Sequence, residues 1–468
     1  MSGRNSTLTA GSSLDATATP SSGRLQWSTR LSFILAATGS AIGLGNIWKF
    51  PYITGENGGG AFVLVYLACI LVIGIPLMMA EIMIGRRGQQ SPPNAMASLA
   101  KEAGSTSLWK IVGWSGVIAG FLILSFYTVI AGWSVSYISV AADTTFVGKS
   151  PAEIGSMFEG MLSDPTRLLT WSTLVILITL FIVGKGVKSG LEKAVNILMP
   201  CLLVLIVIMV GYAMTTGHFM QGVSFLFNPD FSKLSSESML IALGHAFFTL
   251  SLASGAIMTY GSYLPKSVSI AKTTIYIGIV DTVVALLAGL AIFPIVFANN
   301  LEPSAGPGLI FVTLPIAFGQ MPLGTIVGTL FFIMLSIAAL TSAISMIEPS
   351  VARLVEKFKI SRFKACTLLG FGLWLLSVGS ALSFNLWKEE KLFGKTFFDM
   401  VDHLTANLMM PLGGLAMAIF SAWIIHKKVT QEELGLGKGV MYNVWLFTMR
   451  FITPICIVIV FLNALKII

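Results

Sequence analysis

The sequence predicts an all-α polytopic membrane protein with eleven membrane-spanning helices, and composition and pattern carry that prediction. Of 468 residues, 55% are apolar and only 11% are charged, less than half the roughly 25% charged residues usual in soluble domains. Mean hydropathy is +0.84. Eleven apolar stretches are each long enough to cross about 30 Å of hydrocarbon as a helix. This composition excludes an ordinary cytosolic enzyme, a disordered chain and a nucleic-acid binder. The net charge of +8 is read accordingly: in a membrane chain, Lys and Arg mainly set orientation.

Residues 1–26 are mostly Ser, Thr, Gly and Ala with two arginines, lack the apolar run of a signal peptide, and read as a flexible cytoplasmic tail. The spans follow near 28–55, 60–85, 108–141, 168–184, 190–214, 237–264, 269–298, 322–354, 363–384, 396–426 and 441–466. Several exceed the minimum, so tilt or interruption is expected. Twenty of the 29 Lys and Arg gather at one set of span ends and seven at the other, while Lys49 and Arg450 lie within spans. That bias predicts a cytoplasmic N-terminus and, with an odd count, an external C-terminus, in a multi-pass protein of the plasma (inner) membrane. Cys69, Cys201, Cys366 and Cys456 all sit in apolar runs, so neither a disulfide framework nor a CxxC metal site is expected.

Span 1 carries Gly39-Ser40-Ala41-Ile42-Gly43-Leu44-Gly45-Asn46 at its centre, and span 6 carries Ser251-Leu252-Ala253-Ser254-Gly255. Each glycine weakens a helix by about 1 kcal/mol relative to Ala. Small residues also mark close helix packing. Two such stretches five spans apart, one beside an Asn, favour interrupted helices in equivalent places of two repeats, the sequence sign of a transporter's central site. Non-helical backbone at membrane depth is tolerated where it lines a cavity or is buried in protein. Its freed carbonyls suit a hard cation such as Na⁺. Its freed amides, at the start of the second half-helix, suit a carboxylate. Such a helix fits a zwitterionic amino acid driven by sodium.

GSAIGLGNIWKFPYITGENGGGAF in spans 1–2, GIPLMMAEIMIGRRG at the end of span 2, FFTLSLASGAIMTYGSYL in span 6 and ALTSAISMIEP in span 8 resemble the neurotransmitter:sodium symporter family, in its prokaryotic amino-acid transporter branch. The similarity runs from about residue 24 to about residue 460. It implies the leucine-transporter-like fold, an inverted five-helix repeat with helices 1 and 6 unwound at mid-membrane: residues 27–214 as the first repeat, 237–426 as the second, and 441–468 as helix 11. It also implies two sodium sites. The first would use the Ala41 carbonyl, the Asn46 side chain, the carbonyl and hydroxyl of Thr249, Asp281 and the substrate's own carboxylate. The second would use the carbonyls of Gly39, Ile42 and Ala338 with the hydroxyls of Thr341 and Ser342. Without the resemblance, Thr341-Ser342 reads equally as hydroxyls bonding back to their own helix.

The substrate carboxylate is expected at the amides of Leu44 and Gly45 and the Tyr127 hydroxyl. The ammonium is expected at the carbonyls of Ala41, Phe248 and Thr249, with the Ser251 hydroxyl. Ser40, Ile123, Phe248, Ser254, Ser342, Ser345 and Met346 would line the side-chain pocket. Ser254 stands where a leucine-selective relative has a bulky aromatic, so larger hydrophobic or aromatic side chains are expected to fit. Lys49 and Asp402 match the family's outer charged gate, with Lys where many relatives have Arg; lysine lacks the bidentate fork. Tyr127 and Phe248 would form the lid beneath it. Arg24, Glu356 and Tyr263 match the inner gate, with Trp27 beside it. Glu81 reads as an anchor for the unwound part of span 1, and His245 and His403 as pore-facing polar residues rather than metal ligands. Gly190 and Pro200 in span 5 read either as a stretch that unwinds to admit water or as an ordinary proline kink.

Chloride is not expected as a co-ion. The family's chloride-dependent members have a neutral Asn where this chain has Asp281, and a serine where it has Ala285. An emptied, buried Asp281 would be costly as a bare anion, so proton uptake on the return step is expected. The function implied is sodium-coupled import of neutral hydrophobic or aromatic L-amino acids through the lipid bilayer, with no enzyme motif present. The alternatives are a sodium-dependent carrier of another small neutral zwitterion, a channel, and a non-transporting amino-acid sensor.

Overall fold

The computed structural model describes residues 26–303 and 308–464. Among these residues the chain is all-α, and its helices follow the eleven apolar stretches of the sequence. Nine continuous helices are long and apolar enough to span: Gly60–Gly88, Ser107–Ala142, Pro165–Gly184, Val187–Met214, Ile270–Ala298, Gly324–Phe358, Arg362–Leu382, Phe397–Ile424 and Val440–Asn463. These are spans 2–5 and 7–11. Span 1 is a bent pair, Arg30–Ala41 and Gly45–Glu56, with 49° between its halves. Span 6 is likewise two pieces, Ser236–Thr249 and Ala256–Gly261. Both interruptions fall on the small-residue stretches.

Prolines shape many of the remaining irregularities. A widened π-turn stands directly before Pro51, Pro76, Pro315, Pro411 and Pro454. Proline cannot donate to the preceding turn, and its ring crowds the carbonyl four residues back. Widening that turn by one residue relieves both problems without ending the helix. Span 5 has its π-turn at Val187–Glu192, around Gly190, and continues as α-helix through Pro200. The stretch between Gly190 and Pro200 is therefore helical here, not unwound.

Span 8 lies along span 3, and span 9 packs on spans 4 and 3, while span 5 seats against spans 7 and 8. The two broken helices run through the centre of this framework. A Cβ on Gly120 of span 3 would stand 2.8 Å from the Ser254 carbonyl, so only glycine lets span 3 press against the break in span 6. Short helices at Pro92–Glu102 and Lys427–Leu434 close one end of the bundle. There Arg86 of span 2 bonds the Glu433 carboxylate at 2.9 Å, its backbone carbonyl, and the Val268 carbonyl at 2.6 Å.

Candidate substrate and ion site between the broken helices

Span 1 stops being helical at Ile42, whose ψ of 108° turns the chain into an extended conformation. Helix resumes at Gly45. The Asn46 Oδ1 accepts the Gly43 N–H at 3.1 Å, so this Asn caps the second half. A Cβ on Gly43 would lie 2.3 Å from Ser342 Oγ and 2.9 Å from the Tyr127 hydroxyl. Glycine is what allows the bare backbone to meet both spans 3 and 8. In span 6 the break is more strained: Ser251 and Ala253 have φ of 53° and 60°, a left-handed conformation costing roughly 1–2 kcal/mol each. Glu81 offsets this by accepting the Ala253 N–H at 2.7 Å. That corrects the expectation for Glu81, which anchors the unwound part of span 6 rather than of span 1. The two breaks touch, since Ser251 Oγ donates to the Ser40 carbonyl at 2.7 Å. The Ser251 hydroxyl is thus committed across the breaks rather than presented toward an ammonium.

Two oxygen clusters form around this junction. In one, the fully buried Asp281 carboxylate accepts from Asn46 Nδ2 at 2.8 Å, from Thr249 Oγ1 at 3.2 Å and from the Tyr66 hydroxyl at 3.4 Å. Among the described residues it has no ion-pair partner within 4.0 Å. A buried carboxylate without a cation is costly, and the carboxylate with the Thr249 and Tyr66 hydroxyls beside it offers oxygens of the kind a hard cation prefers. In the other, Ser342 Oγ stands 3.5, 3.4 and 3.3 Å from the carbonyls of Gly39, Ser40 and Ile42. One hydroxyl proton cannot satisfy three carbonyls. Thr341 Oγ1, one residue before, bonds the Ala338 carbonyl at 3.0 Å. Both sets are rich in the oxygens that a hard cation takes as ligands.

At the start of the second half of span 1, the Leu44 N–H points at the Tyr127 hydroxyl, 3.3 Å away. The first amides of a helix lack intrahelical acceptors, so the Leu44 and Gly45 amides with Tyr127 form a cradle for an anion. Ile123 and Met346 are buried nearby on spans 3 and 8. Ser254 Oγ turns back onto the Ser251 carbonyl at 2.7 Å and Ser345 Oγ onto the Thr341 carbonyl at 2.8 Å. Both hydroxyls are thus committed to their own backbone.

Phe248 roofs the Gly45 backbone, and a cavity of about 390 Å³ opens above it, lined by Lys49, Tyr52, His245, Asn407 and Pro411. The Lys49 ammonium sits 4.5 Å over the Phe248 ring and makes no ion pair with Asp402 within 4.0 Å. The expected Lys49–Asp402 gate is therefore not closed in this structure: a single point charge finds the ring face a sufficient seat. His245 lines the same cavity, in contact with the rings of Phe50 and Tyr66, and His403 pairs with Asn407 at 2.7 Å. Among the described residues no cluster of His, Cys, Asp and Glu is built to hold a metal.

The opposite face is sealed. Trp27 donates through Nε1 to the Tyr260 carbonyl at 3.2 Å and packs edge-on against Tyr260 and Tyr263. The acidic partner of Tyr263 is not Glu356. The Tyr263 hydroxyl donates to Glu348 at 2.8 Å, and Arg362 grips the same carboxylate through both terminal nitrogens. Glu356 accepts instead from the Ser91 amide at 2.7 Å and from Asn94, because the Pro92–Glu102 helix reaches it first. Arg24 lies outside the described residues. Sequence reasoning missed Tyr66, a lone hydroxyl in an apolar run, and the Glu348–Arg362 pair. The signal for the latter was an acid inside a span, which requires a named partner.

Broken helices meeting at mid-membrane around buried oxygen clusters define a class, the multi-pass secondary transporters. Within that class, the chain belongs to the Sodium:neurotransmitter symporter family, whose model matches residues 24–154 and 154–468. It is 41% identical over 447 residues to the uncharacterized sodium-dependent transporter YhdH of Bacillus subtilis, covering 95% of this chain and 98% of that one. An uncharacterized sodium-dependent transporter of Haemophilus influenzae is 35% identical over 449 residues, covering 94% and 98%. A crystal structure of MhsT in complex with L-phenylalanine matches with a TM-score of 0.87 at 46% identity, covering 94% of this chain and 100% of that one. The protein is thus a sodium-dependent transporter of the family's prokaryotic branch.

Proposed function

We propose that this protein imports neutral hydrophobic or aromatic L-amino acids with two sodium ions per site set, by alternating access and without chloride. The observation that carries the reading is the pair of oxygen clusters flanking one amide cradle. A zwitterion seated with its carboxylate at Leu44, Gly45 and Tyr127 lies between Asp281 and Ser342. Its carboxylate then completes the cluster at Ala41, Asn46, Thr249 and Asp281, so cation and substrate bind together. The apolar wall at Ile123, Met346 and Ser254 favours bulky neutral side chains, in keeping with L-phenylalanine in MhsT. Residues 27–214 and 237–426 act as two inverted repeats. Lys and Arg bias places the N-terminus in the cytoplasm of a plasma-membrane protein, so the Phe248 cavity faces outside and the Trp27 seal faces inside.

Labelled L-phenylalanine uptake into proteoliposomes tests this reading. Uptake is expected to require an inward sodium gradient, to survive replacement of chloride by gluconate, and to be competed by tryptophan and leucine. Sodium-independent equilibration would indicate a channel. Saturable binding without flux would indicate a sensor. Competition by a different zwitterion alone would overturn the hydrophobic pocket.

A further inference from the structure

A groove of about 560 Å³ runs between spans 4 and 9 on the outer face of the bundle, far from the central site. Its walls include Leu177, Phe181, Phe363, Phe371 and Trp374, of which all but Trp374 are more than half exposed. Gly370 shapes the floor: a Cβ there would lie 2.3 Å from Leu180 Cδ1, so the glycine admits the Leu180 side chain between the helices. The groove has two unlike ends. At one, Trp374 Nε1 donates to Thr173 Oγ1 at 3.0 Å and closes it. At the other, span 9 is tied to span 4 by Arg362 bonding the Val183 carbonyl at 3.2 Å. From Phe363 to Trp374 the helix rises about 16 Å, close to half of the roughly 30 Å hydrocarbon core. The groove therefore covers one leaflet and stops near mid-membrane.

The interfacial end is basic. Lys185 follows span 4 directly, and its Nζ stands 3.9 Å over the Phe181 ring at the groove mouth. Lys188 lies in the first turn of span 5 and Lys364 in the first turn of span 9; all three are exposed. Among the described residues none of the three has an ion-pair partner within 4.0 Å. The nearby acids are engaged: Glu348 with Arg362, Glu192 with the Ser28 amide, and Glu356 with Ser91 and Asn94. A leaflet-deep aromatic slot ending in unneutralised lysines matches one molecule, a glycerophospholipid with an anionic headgroup.

We infer that the span 4–span 9 groove is a binding site for an anionic glycerophospholipid, with an acyl chain along Phe181, Phe371 and Trp374 and the headgroup phosphate at Lys185, Lys188 and Lys364. Trp374 reports occupancy. The purified full-length protein is reconstituted in bilayers containing bromine-labelled acyl chains on phosphatidylglycerol or on phosphatidylcholine, and quenching assigned to Trp374 is read as the difference between the wild type and Trp374→Phe. Phosphatidylglycerol is expected to displace phosphatidylcholine at this position with a preference of about tenfold or more, since each lysine near a headgroup adds a substantial factor. In Lys185→Gln/Lys188→Gln/Lys364→Gln, whose changes are confined to exposed side chains, the preference is expected to fall to about twofold or less, with sodium-driven uptake retained. Equal quenching by the two lipids overturns the proposal, as does a preference that survives the triple substitution. A Trp374 shielded from both lipids, with cross-linking between copies through span 9, would show that a second copy covers this face instead.

Discussion

Ser342→Ala is the sharpest test of the oxygen cluster between spans 1 and 8. Ser342 Oγ is the group from span 8 that approaches three span 1 carbonyls at 3.3–3.5 Å. In the proposed second sodium site the hydroxyl oxygen would be one ligand among five, with the carbonyls of Gly39, Ile42 and Ala338 and the Thr341 hydroxyl as the rest. An interaction between a dipole and a charged group contributes about 1.5–3 kcal/mol, or about one to two decades in affinity. The sodium concentration for half-maximal phenylalanine uptake is therefore expected to rise about ten- to a hundred-fold. Uptake at saturating sodium should change by less, because the Leu44 and Gly45 amides stay in place and Ser342 reaches the cradle only through its bond with the Tyr127 hydroxyl. Thr341→Val/Ser342→Ala should abolish sodium stimulation altogether while the protein still purifies as a folded monodisperse species. The assay is sodium-titrated uptake in proteoliposomes, paired with direct binding of labelled sodium in detergent. A double variant with the wild-type sodium dependence would refute the assignment.

Three other outcomes follow from particular contacts. Ser254→Phe places a ring where a hydroxyl now folds back on Ser251; a buried clash costs typically about 1–3 kcal/mol, so tryptophan should lose about one to two decades of affinity relative to alanine in competition binding, and equal losses would move the pocket elsewhere. Asp281→Asn removes the one formal charge of the Asn46–Thr249–Tyr66 cluster and should weaken sodium, flatten the pH dependence of uptake and make transport respond to chloride, all read in liposomes with gluconate as the control anion. Glu348→Gln strips the carboxylate charge shared by Arg362 and Tyr263; because breaking a buried ion pair costs about 3–5 kcal/mol, the thermal midpoint in detergent should drop and the Trp27 seal should open more readily, measured as cysteine labelling at an introduced Tyr260→Cys.

Much of this protein is one-dimensional information. The all-α, multi-pass architecture follows from apolar run length because the bilayer demands helices of a set length with every backbone group satisfied internally. The broken helices are legible for the same reason, since Gly39 to Asn46 and Ser251 to Gly255 are stretches where a continuous helix is locally weak. The π-turns before Pro51, Pro76 and Pro411 likewise follow from a missing donor and a crowded carbonyl. Partner choice is different. Glu81 bonds Ala253 and not span 1, Glu348 takes Arg362 and Tyr263 while Glu356 turns to Ser91, and Lys49 settles on Phe248 rather than Asp402. Each of these side chains has several acceptors or donors within reach along the chain's possible foldings. Which one wins depends on helix rotation and on distances of a few ångströms between elements remote in sequence, and only the packed bundle sets those.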